Sequence, residues 1–263
     1  MPLFDPLGTA LPLAHPPKRI VSLVPSQTEL LHALGLDNEV AGITKFCIHP
    51  DNWFRSKPRV GGTKTVHIER VLALRPDLVI ANKEENVQAQ VEELAREVPT
   101  WASDISNLAE ALEAIRSIGA LTHRVAKAEA IAHEIEAGFM GLQPIKQDRP
   151  RCGYLIWKEP YMSVGCDTFI HDMLQQLGVV NAFADRSRYP EVTLEDLRAC
   201  ELVLLSSEPY PFAQKHIDEL QQQLPDARIL LVDGELFSWY GSRLLQSPAY
   251  FRQLRSEISF NAD

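Results

Sequence analysis

Six apolar runs rich in β-branched residues, "RIVSLV", "VAGIT", "DLVIA", "GYLIW", "LVLLSS" and "RILLV", are the features that most restrict how this chain can fold. Most are separated by segments of helical period, and strand alternating with helix is the pattern of a mainly parallel sheet covered by helices. The segment "VPSQTELLHALG" shows how one unit is built. Its spacing predicts a capping box from Ser26 to Glu29, a buried stripe of Leu30, Leu31 and Leu34, and a stop at Gly35. Each strand then delivers a helix N-terminus to the carboxyl edge of the sheet.

Between Leu108 and Leu142 the apolar residues step by threes and fours through Leu112, Ile115, Ile118, Leu121, Val125, Ala128, Ile131, Ile135, Phe139 and Leu142. Gly119 and Thr122 are read as dividing the stretch into two helices, the second roughly 30 Å long at 1.5 Å per residue. Strand and helix alternate again after "QPIKQDRPRCG". The expected layout is an α/β lobe over 1–121, a connecting helix over 122–146 and a second α/β lobe over 147–263. "IERVLALRPDLVIANKEEN" and "LEDLRACELVLLSSEPYPF" both run helix, strand, charged loop, as if one architectural unit were used twice.

With 263 residues and 45% hydrophobic composition the chain can bury a full core, either as one large domain or as two lobes. A formal charge of −9, with no basic run to offset it, opposes binding to nucleic acid or anionic membranes. Cys47, Cys152, Cys166 and Cys200 form no C-x-x-C pair, and four such thiols suit a reducing compartment. Prolines interrupt the N-terminal segment where a secretory peptide needs an apolar core, and no run reaches the length of a membrane span. The sequence as written is therefore expected in the cytoplasm without membrane insertion, or in the periplasm if an export signal has been lost.

Ligands of open parallel sheets bind beyond the carboxyl ends of the strands, which directs attention to "KFCIHP", "ANKEEN", "IWKEPY", "SSEPYPF" and "VDGELFSWYGSR". These loops concentrate aromatic and charged residues. Phe46, Lys83, Trp157, Glu208, Tyr210, Glu235, Trp239, Tyr240 and Arg243 are the candidate ligand contacts. Trp239 and Tyr240 fit either the wall of a ligand site or a lid on the core, whereas Phe237 has the spacing of a buried residue and Asp233 that of a turn. Glu208 and Glu235 could jointly hold a metal or a cationic group, and Cys47 with His49 offers two soft metal donors or simply a packed thiol and a surface imidazole. Lys83, Glu84 and Glu85 read as a charged rim or a solvated cluster. In "GCDTFIHDMLQQLG" Asp167 or Thr168 is the expected N-cap, and Asp167 with His171 is a possible acid and base pair.

"PPKRIVSLVPSQTELLHALGL", "VGGTK" followed by "IERVLALRPDLVIANKEEN", and "DGELFSWYGSR" together resemble the helical-backbone metal receptor superfamily, the substrate-binding proteins of vitamin B12, siderophore and haem importers. The likeness runs from about Lys18 to Leu254. It implies two Rossmann-like α/β lobes joined by a single long backbone helix, with a ligand cleft between the lobes. It also implies a non-enzymatic binding protein for a small metal-containing or aromatic cofactor: corrinoid, haem or siderophore. Phe46 stands where cobalamin-binding relatives place a corrinoid-contacting tyrosine, while Thr63, Asn82 and Leu236 align with ring-contacting tryptophans and cannot stack on a corrin. Glu69 and Glu195, at the starts of the "IERV" and "LEDL" helices, match the carboxylates by which such relatives dock onto an ABC permease. Two other readings stand beside this one: an ABC-importer receptor lacking its export signal, and a metal-dependent hydrolase or lyase using cleft carboxylates. No G-x-S-x-G, H-E-x-x-H, P-loop or dinucleotide motif favours the enzyme.

Overall fold

A computed structural model describes residues 3–4, 10–11, 13, 15–142 and 149–258. The chain divides into two compact units. Unit one comprises the residues up to Ile105, Ala109–Ile135 and Trp239–Arg243; unit two comprises Ser106–Leu108, Glu136–Ser238 and the residues from Leu244 onward.

In chain order the first half carries a small antiparallel pair, β1 (Leu3–Phe4) and β2 (Ala10–Leu11), then β3 (Ile20–Ser22), α1 (Pro25–Ala33), β4 (Val40–Ile43), α2 (Asp51–Ser56), α3 (Ile68–Ala73), β5 (Leu78–Asn82), α4 (Gln88–Ala95), β6 (Thr100–Ser103), α5 (Leu108–Leu121) and α6 (Val125–Met140). The second half carries β7 (Arg151–Leu155), α7 (Phe169–Leu177), β8 (Val180–Asn181), α8 (Leu194–Leu197), β9 (Leu202–Ser206), α9 (Gln214–Gln223), β10 (Arg228–Val232), α10 (Glu235–Ser238), a 3₁₀ turn at Ser242–Leu245 and α11 (Ser247–Ile258). All six apolar runs form strands, and every pairing in the two larger sheets is parallel. The sheet orders are β4-β3-β5-β6 and β10-β9-β7-β8. Numbered from the first strand of each sheet, both read second, first, third, fourth, so the echo between the two sequence halves is a repeated topology.

Each sheet is buried by its own helices. In unit one Val21, Leu23, Val79 and Ala81 pack with Val71 of α3 and Leu94 of α4. In unit two Leu155, Val203, Leu205 and Ile229 pack with Phe183, Leu197 and Leu220. Both faces of β5 and β9 are buried, which is why these strands read as continuous apolar runs rather than alternating ones.

Two local expectations are corrected. Helix α1 starts at Pro25 with Val24 as N-cap and no side-chain cap, so the Ser26–Glu29 box does not form. Proline at the first helical position has a preset φ and no N–H to satisfy, which starts the helix earlier and releases Glu29 for another partner. The break after α5 lies at Thr122–Arg124, where His123 adopts a left-handed φ of 55°. Gly119 instead lies inside α5 at a point of close approach: a Cβ there would stand 2.2 Å from Ala128 Cβ on α6. Helix α6 is continuous over Val125–Met140, and the boundary between the units falls within it after Ile135. Residues 143–146 of the expected connecting helix lie outside the described residues. The second lobe expected over 147–263 is also interrupted, since Trp239–Arg243 belongs to unit one.

All four cysteines are free thiols; Cys47, Cys152 and Cys200 are buried and Cys166 is exposed. Burial pushes the three interior thiols up, Cys200 to about 11. A thiolate-selective reagent at pH 8 is therefore expected to label one cysteine rapidly in the native protein and three more only on unfolding. Fast labelling of two or more in native buffer would contradict this packing.

Candidate functional site

Strand order reverses between β3 and β5 in unit one and between β7 and β9 in unit two, and the carboxyl ends of such pairs are where open parallel sheets generally bind ligands. In unit one a buried amide network lies at the carboxyl ends of β5 and β6. Asn82 Nδ2 donates to Ser103 Oγ at 3.0 Å and to Ser103 O at 3.1 Å, and Gln27 Nε2 donates to the same hydroxyl at 2.6 Å. Asn82 Oδ1 accepts from the N–H groups of Glu84 and Glu85, holding the "KEEN" turn. Asn86 Nδ2 donates to the carbonyls of Leu23 and Thr63. Thr63 and Asn82 are 8% and 1% exposed, so both are interior polar residues.

Phe46, in the loop after β4, is 50% exposed, with Lys45 Nζ 4.9 Å from its ring centroid. Lys83 pairs with Asp104 at 2.5 Å on the solvated surface. Cys47 is buried, its sulfur 3.1 Å from both Thr28 Oγ1 and Thr44 Oγ1, while His49 meets Trp239 edge-on at 5.5 Å. Among the described residues no three His, Cys, Asp or Glu side chains converge as a metal-binding group, so neither Cys47 with His49 nor Glu208 with Glu235 gains the further donors a metal site needs.

Trp239–Arg243 lies as a strap on unit one. Arg243 grips Glu29 of α1 with both prongs of its guanidinium, Nε to Oε2 at 3.0 Å and an Nη to Oε1 at 2.8 Å. The two side chains are only 12% and 19% exposed. The same guanidinium lies 5.2 Å from the Trp239 ring centroid. Gly241 lets the strap approach the helix backbone, because a Cβ there would stand 2.9 Å from Ser26 O. Trp239 and Tyr240 are each 7% exposed, so they present little surface to a ligand. Glu29 was missed as a site residue; with its partner 214 positions further along the chain, its local spacing pointed only to a helix cap.

In unit two the carboxyl edge carries an aromatic group. Trp157 is 41% exposed and meets Tyr210 edge-on at 5.6 Å; Tyr210 contacts Phe212 at 4.7 Å and His216 at 5.5 Å. Lys158 pairs with Glu219 beside it. Glu208 Oε1 accepts from Ser238 Oγ at 2.7 Å, tying the β9 loop to α10, and the Glu235 N–H bonds to Asp233 Oδ1 at 3.1 Å. Phe237 is fully buried and Leu236 is 7% exposed. Thr168 is the N-cap of α7, accepting from the His171 N–H. The Asp167–His171 pair does not assemble: Asp167 accepts from the Arg188 N–H, and the His171 ring nitrogens face Asn181 and Gln175. Burial holds the His171 imidazole below its usual pKa.

Glu69 and Glu195 are exposed in the first turns of α3 and α8, each the helix that leads into the third strand of its sheet. Residues 20–224 match the periplasmic binding protein family. This chain is a member of that family. Among its relatives, an uncharacterized ABC transporter substrate-binding lipoprotein of Bacillus subtilis is 30% identical over 68% of this chain, a match spanning 60% of that relative's length. A vitamin B12-binding protein of Pectobacterium carotovorum is 23% identical over 87% of this chain and 85% of the relative. In three dimensions a periplasmic haem-binding protein of Roseiflexus superposes with a TM-score of 0.79 at 22% identity, covering 91% of this chain and 98% of that one, a likeness of fold. The two parallel α/β lobes of the binding protein are therefore those of its family. The expected cytoplasmic location finds no support, since these relatives are lipoprotein or periplasmic receptors. Among the described residues no helix is long and apolar enough to cross a membrane.

Proposed function

We propose that this protein is a non-enzymatic receptor that captures a small metal chelate, corrinoid or haem-like, outside the cytoplasm for an ABC importer. The observation that carries the reading is the exposed aromatic surface at the carboxyl edges of its sheets. Three of the four tryptophans are at most 7% exposed, yet Trp157 is 41% exposed and Phe46 is 50% exposed, both on strand-end loops. Flat aromatic faces left open at the crevices of parallel sheets suit a flat conjugated ligand. Relatives named for vitamin B12 and haem binding support the ligand class.

The equivalent placement of Glu69 and Glu195 supports docking to a permease through one carboxylate per unit. Titration of the purified protein with haemin and with cyanocobalamin, followed by absorbance and tryptophan fluorescence, is expected to show tight binding of one of them. Phe46→Ala and Trp157→Ala should each weaken it by about 1 to 3 kcal/mol, the scale of a lost aromatic contact. Glu69→Ala with Glu195→Ala should leave that affinity intact and abolish uptake in cells. Binding of neither probe, or affinity indifferent to both aromatic substitutions, would sink the reading.

A further inference from the structure

The aromatic group of unit two contains a hydrogen-bond relay that ends on Tyr210, a half-buried residue packed against the exposed Trp157. His216, in the first turn of α9, is 3% exposed. The N-cap of that helix is Ala213, whose side chain has no oxygen to offer, and the orphan N–H of Ala213 donates to His216 Nδ1 at 2.8 Å. A ring nitrogen that accepts this bond carries no proton, so in the neutral imidazole the proton resides on Nε2. Nε2 lies 3.4 Å from the Tyr210 hydroxyl oxygen, which is then the acceptor of that long bond. The phenolic proton is left to donate elsewhere. Trp157, Phe212 and His216 pack around the Tyr210 ring and fix the direction in which it points.

We infer that His216 is a positioning residue that turns the Tyr210 hydroxyl into an outward hydrogen-bond donor, and that the ligand of this edge carries an acceptor oxygen on a conjugated frame resting against Trp157. The inference rests on the receptor reading above and narrows its ligand class to chelates bearing a carboxylate or amide oxygen at their rim. A cation or a purely hydrocarbon rim gains nothing from such a donor.

The test has two arms. In ligand-free protein, long-range proton–nitrogen correlation of labelled histidine, assigned by the signal lost in His216→Asn, is expected to show His216 as the Nε2–H tautomer. An Nδ1–H tautomer overturns the inference. In the second arm haemin, which bears two rim carboxylates, is titrated into the wild type, Tyr210→Phe, His216→Asn and the double variant. Asparagine keeps an acceptor for the Ala213 N–H, so the helix cap and the melting temperature should survive. Each single variant should lose about tenfold in affinity and the double variant no more than either, because both remove the same bond. Unchanged affinity, or losses that multiply, would overturn it. Absence of binding of both haemin and cyanocobalamin alongside the Nε2–H tautomer supports the positioning role and counts against the receptor reading instead.

Discussion

Trp239→Ala lowers the stability of this protein by about 3 to 5 kcal/mol, the range for truncating a buried tryptophan. The ring is 7% exposed and lies against His49 and the Arg243 guanidinium, so its removal leaves a cavity on unit one and strips the ion pair of a covering face. Urea unfolding and calorimetry measure it, and for a chain of this size the melting temperature should fall by roughly 10 °C. Affinity for the titrated probes, measured on the folded fraction, should change much less. A stability loss below about 1 kcal/mol together with weakened binding would make Trp239 a ligand wall and not a lid.

The second large effect is at Glu29. Glu29→Ala should cost about 3 kcal/mol, because it removes both charge-assisted hydrogen bonds of the bidentate contact from a mostly buried guanidinium, and breaking such a pair from one side is expensive. Arg243→Ala should cost a similar amount. Replacing both by methionine should recover much of the loss, since a mutually satisfied pair and an apolar pair of like volume differ little in net stability. Denaturant midpoints of the four proteins give the coupling directly. Losses that simply add would show that the bidentate contact does not organise the strap. Raised salt should weaken the wild-type pair little, as the two side chains are 12% and 19% exposed.

Much of the fold could be read from the chain because long apolar runs and periodic helices leave few alternatives. β5 and β9 announced themselves through five consecutive buried residues each. β6 and β8 did not: "TWAS" mixes a buried tryptophan with small polar residues, and "VN" is two residues long, so neither carries a period. The aromatics of the strand-end loops were visible as residue types, but their exposure was not. Trp157 and Trp239 look alike in sequence and differ by 41% against 7% in the structure, where Trp239 lies against a histidine and an arginine. His216 was overlooked for a related reason. Its role follows from an alanine at a capping position, a deficiency that becomes legible only once the helix start is known.

The strap also bears on the order in which the chain can be completed. Unit one contains Trp239–Arg243 although most of its residues precede Glu136, and unit two contains Ser106–Leu108 although it otherwise begins at Glu136. A ribosome delivers the N-terminal strands and helices first, yet Glu29 cannot meet its guanidinium, nor His49 its indole, until Arg243 has left the exit tunnel. Throughout synthesis of the second sheet, unit one therefore waits with a charged and partly apolar seat unfilled, and a segment made after that sheet closes a structure begun before it.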